Sequence, residues 1–205
     1  MRTQSVDLAV ILAGGLSRRM GQDKATVSLA GKPLVGHVID RLLPQARTLA
    51  INAPAPLDLP YRMLPDTRSD RPGPLAGILA AMRESARCGL PHVLTVPVDT
   101  PFLPTDLSER LGAKAAPGCI AVASSAGRSH PVVALWPSAL AEDLELWLAD
   151  PQNRKVTTFQ ARHPSIVVEF PLREDPARPL DPFFNVNNAD DLARAEQIVE
   201  AGGWD

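Results

Sequence analysis

The sequence is poor in cysteine: among 205 residues it has two, Cys88 and Cys119. Neither has a nearby Cys or His at metal-ligand spacing, so no disulfide framework is expected and both thiols are predicted to be reduced. His37, His92 and His163 also lack partners at ligand spacing, so no zinc site is expected from them. Long hydrophobic runs are missing too. The first apolar run carries Asp7 within it and soon breaks into glycines and arginines, which is too short and too quickly charged for a signal peptide or a membrane span. A cytoplasmic protein without a membrane partner is therefore expected. Charge of one sign is not in excess either: 21 Lys and Arg stand against 23 Asp and Glu, a formal net charge of −2. With no global basic field to draw in nucleic acid, any anion must be caught by a local site. Internal repeats, heptad seams and low-complexity segments are likewise missing.

Hydrophobic residues make up 45% and charged residues 21%, ordinary values for a globular protein. At this length a chain can bury roughly 70% of the surface it would expose when unfolded, so a single domain over 1–205 is expected without a metal or disulfide staple. The 21 prolines, about twice the usual frequency, fall singly at turns.

Apolar runs alternate with helical patterns. Strands are predicted at Leu8 to Ala13, Thr48 to Asn52, His92 to Val98, Cys119 to Ala123, Pro131 to Trp136 and Ile166 to Phe170. One helical face is marked by Leu34, Val35, Val38, Ile39, Leu42 and Leu43 behind Pro33. A second helix carries Leu75, Ile78, Leu79 and Met82. The last begins near Asn188, whose side chain can cap it, with Asp191 in its first turn. This alternation predicts a three-layer α/β/α, Rossmann-like fold with a mainly parallel sheet. Ligands of such sheets sit at the carboxyl ends of strands. There the sequence places Gly14-Gly15, Asn52 and Asp99.

The segment Leu12 to Lys24 (LAGGLSRRMGQDK) is the most informative. Adjacent glycines allow a sharp turn and bring successive N–H groups to a phosphate. Arg18, Arg19 and Lys24 place positive charge beside it. Gly15 and Gly21 are separated by five residues and Lys24 follows after two more, so the loop is neither a P-loop nor a G-x-G-x-x-G dinucleotide fingerprint. A tight strand-to-helix turn with a solvated basic face is the bland account. The three cations and the following Gly31-Lys-Pro33 favour phosphate binding.

These residues resemble the nucleotide-binding signature of the molybdenum cofactor guanylyltransferases, a branch of the sugar-phosphate and pterin-phosphate nucleotidyltransferases. The resemblance continues in Leu29-Ala-Gly-Lys-Pro-Leu34, Asn52, Asp66, Arg71-Pro-Gly-Pro-Leu-Ala-Gly77, Val96-Pro-Val-Asp-Thr-Pro101, His130-Pro131 and Phe184-Asn-Val-Asn-Asn188. It spans about residues 8–196. The family often has Thr where Asn188 stands and a bulkier loop around Gln22.

The resemblance implies transfer of GMP from GTP to the terminal phosphate of molybdenum-molybdopterin, with release of pyrophosphate. It assigns nucleotide contacts to Leu12, Ala13, Gly14, Gly15, Lys24, Asn52, Asp66 and Asp99. The segment 8–105 would hold the nucleotide and 106–200 the molybdopterin. Asp99 could cap a helix after Pro104 or hold Mg²⁺; the matching family position binds the metal. Lys24, Arg19 and Asp99 are the implied catalytic residues. Asn185 and Asn187 alternate along an extended segment and face one way, as two amides reading a pterin would. Arg154 and Lys155 form a further candidate pair, and His130 is expected to support the site. GTP, molybdenum-molybdopterin, molybdopterin-loading proteins and molybdoenzyme chaperones are the implied partners. A same-fold enzyme for another base or acceptor (a molybdopterin cytidylyltransferase or a sugar-1-phosphate enzyme), or a non-catalytic nucleotide-binding delivery protein, are the alternatives.

Overall fold

Strand β1 (Val6–Leu12) is buried on both faces, and its side chains divide with period two. Leu8, Val10 and Leu12 enter one core and Ala9 and Ile11 the other. A strand of this kind belongs in the middle of a covered sheet. The computed structural model, which describes residues 6–14, 24–66, 73–174 and 179–202, places it there.

A small hairpin of β2 (Ser28–Leu29) and β3 (Lys32–Pro33) leads into α1 (Leu34–Leu42). Then come β4 (Ala46–Asn52), β5 (Arg62–Leu64), α2 (Pro74–Arg87), β6 (His92–Pro97) and α3 (Leu107–Gly112). The second half comprises β7 (Ile120–Ser125), β8 (Arg128–Pro137), α4 (Ala141–Trp147), α5 (Val156–Gln160), β9 (Ser165–Phe170) and α6 (Ala189–Glu200). The main sheet has the order β5-β4-β1-β6-β8-β7-β9. Helices α1 and α3 cover one face, and α2, α4 and α5 the other. A third apolar cluster joins α6 to Val27, Leu29, Leu34 and Phe102.

The expected mainly parallel sheet is present, with one reversal. β5, β4, β1 and β6 are parallel, as are β7 and β9, while β8 runs antiparallel to both β6 and β7. The reason is local: only Ala126 and Gly127 separate β7 from β8, both with positive φ (49° and 72°). Two residues in that conformation make a primed hairpin turn, which can only join antiparallel strands. Leu43, predicted on the buried face of α1, instead caps the helix and is 47% exposed.

Two polar devices hold the connections. Asn188 caps α6 as predicted, its Oδ1 accepting from the Asp191 amide at 2.9 Å. Gln45, in the turn after α1, donates to the Arg41 and Pro104 carbonyls and accepts from the Ser108 amide, at 2.7, 2.8 and 3.0 Å. Its buried side chain thereby fastens α1 to the start of α3. Cys88 and Cys119 are free thiols, exposed and buried respectively. Among the described residues no helix is long and apolar enough to cross a membrane.

Candidate active site

β1 lies between β4 and β6, so the connection from β1 passes one way and the later return to β6 the other. This reversal is the position at which parallel sheets open a crevice beyond their strand ends. The register brings Leu12 level with both Asn52 and Pro97. Two further bonds extend the ladder, Ala13 N–H to the Asn52 carbonyl at 2.7 Å and Val98 N–H to the Leu12 carbonyl at 3.1 Å. Leu12, Gly14, Asn52 and Asp99 thus arrive at one wall of a cavity of about 920 Å³. The opposite wall is made by the start of β8, the segment 179–187 and α6.

At the junction stands Asp99. Lys24 Nζ donates to its Oδ2 at 2.7 Å, and Asn185 Nδ2 to its Oδ1 at 3.2 Å. Lys24 also donates to Asn187 Oδ1 at 2.7 Å. The Lys24 and Asp99 side chains are only 14% and 13% exposed, so this ion pair is poorly screened. Asp99 caps no helix: α3 begins at Leu107 with Asp106 at its N-cap position. Asn185 and Asn187 both line the cavity and both turn towards the Lys24–Asp99 pair.

Asn52 is 2% exposed and rigidly oriented. Its Nδ2 donates to the Leu64 carbonyl at 3.0 Å and to Asp66 Oδ1 at 2.8 Å. Both partners are pure acceptors, so the amide orientation follows from chemistry: the NH₂ faces them and Oδ1 faces Gly14 and Gly77. Gly77 has no side chain to offer because a Cβ there would lie 2.3 Å from Asn52 Oδ1. The same helix, α2, turns its N-terminal end to the cavity through Gly73 and Pro74, adding the positive end of a helix dipole.

On the far wall, β8 bulges. Val122 pairs with Ala134, but the next β7 residue, Ala123, pairs with His130. Pro131 has no N–H for a ladder, and the Pro131 and Val132 carbonyls are taken by Gln160 Nε2 (2.9 Å) and Thr95 Oγ1 (2.7 Å). The bulge sets His130 into the cavity wall, where burial holds its pKa below the usual value, partly opposed by the charge of Asp181.

The structure therefore brings together Leu12, Gly14, Lys24, Asn52, Asp66, Asp99, Asn185 and Asn187 around one cavity. Ala13 lies buried directly behind Gly14. Gly15, Arg18, Arg19 and Arg71 lie outside the described residues. Arg154 and Lys155 do not line the cavity. Sequence reasoning missed Arg128, Asp181 and Arg194, which also line the cavity, and Ser125, which lies behind the wall and donates to Asp181. Asp181 is four residues before Asn185, and its proximity to that motif was the available signal. The others are common surface residue types, with nothing in their spacing to set them apart.

A glycine just past the end of the central strand, a buried amide and a lysine-held carboxylate at the switch point of such a sheet define a nucleotidyltransferase. The MobA-like NTP transferase domain matches residues 9–165. The chain is 53% identical over 195 residues to the molybdenum cofactor guanylyltransferase of Rhizobium meliloti strain 1021, covering 92% of this chain and 89% of that one. Identity to the enzyme of the same name from Sinorhizobium fredii is 47% over 196 residues, covering 92% and 90%. The solved structure of molybdopterin-guanine dinucleotide biosynthesis protein A from Archaeoglobus fulgidus superposes with a TM-score of 0.72 at 26% identity, covering 95% of this chain and 99% of that one. The chain belongs to the MobA-like NTP transferases, and within them to the molybdenum cofactor guanylyltransferase family.

Proposed function

We propose that the protein transfers GMP from GTP to the terminal phosphate of molybdenum-molybdopterin and releases pyrophosphate, forming the guanine dinucleotide cofactor. The observation that carries this reading is Asp99, held by Lys24 from the glycine-loop side and by Asn185 from the C-terminal side on the floor of one cavity. In this assignment residues 8–105 supply the GTP site and 106–200 most of the molybdopterin site.

Asn52 supports guanine. With both amide hydrogens engaged, only its Oδ1 remains for a ligand, beside the carboxylate of Asp66. Two acceptors suit the adjacent N1–H and N2–H donors of guanine, whereas cytosine presents one donor next to an acceptor. A base that mismatches such a site leaves buried groups unpaired, so discrimination is large.

Mg²⁺ is the metal we assign. Among the described residues no group of three or more His, Cys, Asp or Glu could hold an ion by itself. Mg²⁺ does not require one: it is commonly held by one or two carboxylates together with substrate phosphates and waters. Asp99, an oxygen donor lining the cavity, fits that role. When bound, the ion supplies charge neutralisation on the phosphates.

The chain's own contributions are positional and electrostatic. Lys24 uses two of its three ammonium hydrogens on Asp99 and Asn187 among the described residues, and in the assigned role its charge would stabilise the phosphates. Gly14 lines the cavity without a side chain, and the roles assigned to Gly15 and Arg19 rest on the resemblance of the sequence. No general base is needed. The second pKa of a phosphate monoester is about 6, so at neutral pH the attacking group is already mostly a dianion.

The test is pyrophosphate release with Mg²⁺, molybdenum-molybdopterin and either GTP or CTP. GTP should be preferred by a factor on the order of 10² or more in kcat/KM. Comparable values for the two nucleotides would overturn the base assignment, and nucleotide binding without turnover would favour a delivery protein.

A further inference from the structure

A second cluster of hydrogen-bonding side chains lies on the far wall, away from Asp99. Asp181 Oδ1 accepts from Ser125 Oγ at 2.7 Å and from the Phe183 amide at 2.8 Å. Ser125 Oγ is also 2.7 Å from His130 Nε2, and Asp181 Oδ2 is 4.0 Å from the same nitrogen. Ser125 is fully buried at the end of β7. A hydroxyl has one proton and a carboxylate only accepts, so the Ser125 proton goes to Asp181 and the His130 Nε2–H donates to Ser125. The order His130 to Ser125 to Asp181 is thereby determined. The His130 ring rests on Phe183 with centroids 4.6 Å apart, and Phe183 meets Phe170 edge-on at 5.3 Å.

The residues after Asp181 run directly to the site. The Phe184 amide bonds the Asp181 carbonyl at 3.0 Å, and the Val186 amide bonds the Asp99 carbonyl at 2.9 Å. Between and beyond them, Asn185 reaches Asp99 and Asn187 accepts from Lys24, while the Asn187 amide is held by Asp191 at 2.9 Å. The segment 181–187 is therefore a strap with one end on the β7–β8 hairpin and the other on the Asp99 backbone and side chain.

We propose that Ser125, His130 and Asp181 are positioning residues: a brace that fixes this strap and, through it, the placement of Asn185 and Asn187 against Asp99 and Lys24. The brace touches the acceptor half of the cavity and none of the residues assigned to the base. Its loss should act on the acceptor and on turnover while leaving GTP recognition alone. The kinetic part of this inference rests on the guanylyltransferase reading; the mechanical part does not.

The experiment compares Asp181→Ala, Asp181→Asn and Ser125→Ala with the unaltered protein. Asn retains a side-chain oxygen that accepts from Ser125 and from the Phe183 amide; Ala does not. Hydrogen exchange of the Val186 amide is the readout independent of activity. It should speed up by at least tenfold in Asp181→Ala and Ser125→Ala and stay near the unaltered rate in Asp181→Asn. In turnover, Asp181→Ala should lower kcat by a factor on the order of 10², the penalty for misplacing groups by about 1 Å. Its KM for GTP should stay within about twofold, and Asp181→Asn should recover most of the rate. If Asp181→Ala does not fold, Ser125→Ala carries both measurements. Unchanged Val186 exchange in a folded variant, or a GTP KM that rises in step with the loss of kcat, would overturn the brace. An unaltered protein that fails to turn over GTP would instead sink the functional reading, with the exchange result still standing.

Discussion

Gly77 and Asn52 are in contact across the joint between α2 and β4, so close that a Cβ on Gly77 would sit 2.3 Å from Asn52 Oδ1 and 3.0 Å from Leu12 Cδ2. Asn52 cannot turn aside without losing its bonds to Leu64 and Asp66. Ala is a better helix former than Gly by about 1 kcal/mol, so propensity alone would make Gly77→Ala stabilising. Overpacking a pinned site costs about 1–3 kcal/mol and should win. Gly77→Ala is expected to lower Tm and to weaken GTP binding at least tenfold. Adding Asn52→Ala removes the 2.3 Å clash and should recover part of the lost Tm but not GTP affinity. A stabilised single variant with normal affinity would show that Asn52 has room to move.

Asp99→Asn keeps the shape of the side chain and removes its charge. The ion pair with Lys24 is lost and so is the carboxylate assigned to the metal. Turnover is expected to fall by a factor on the order of 10³, as for loss of one preorganised electrostatic group in other enzymes. Far-ultraviolet circular dichroism should be unchanged. Retention of more than a tenth of the activity would show that Asp99 serves only to anchor Lys24 and Asn185.

His130 ties stability to pH. Burial lowers its pKa from the usual histidine value of about 6.5, with Arg128 adding to that effect and Asp181 and Glu169 opposing it. The folded state therefore binds this proton less readily than the unfolded state. Above about pH 6.5 both are neutral and the residue contributes nothing; as pH falls below that value the folded state is penalised, fully so below the lowered pKa. Tm should thus decline from about pH 6.5 downward. His130→Gln, which still offers an N–H to Ser125, should flatten that part of the curve. An identical slope in the variant would assign the acid sensitivity elsewhere.

Gln45→Leu tests the fastening between α1 and α3. The substitution leaves the Pro104 carbonyl and the Ser108 amide without their side-chain partner. Three side-chain hydrogen bonds are lost, each worth about 0.5–1.5 kcal/mol net, so roughly 2–4 kcal/mol is expected in total. For a chain of this size that corresponds to a Tm lower by roughly 5–15 °C, measured by calorimetry. GTP KM should be unchanged, because Gln45 does not line the cavity.

The residues themselves determined much of this protein. Doubly apolar runs made β1, β4 and β6 central strands, and Pro33 and Asn188 marked the starts of helices. A glycine turn, an Asn and an Asp at strand ends pointed to the donor half of the site, because these signals are local and depend on backbone conformation and strand periodicity. Tertiary structure decided the rest. The reversal of β8 follows from the conformation of Ala126 and Gly127, and Ala gives little warning of a positive φ. That Asp99 bonds Lys24 and Asn185 rather than capping a helix depends on chain segments 75 and 86 residues away. Ser125, His130 and Asp181 meet only because β7, a bulged β8 and the segment before α6 converge on one wall. No periodicity encodes such a meeting: the partners belong to different elements, and only packing the layers brings them within hydrogen-bond distance.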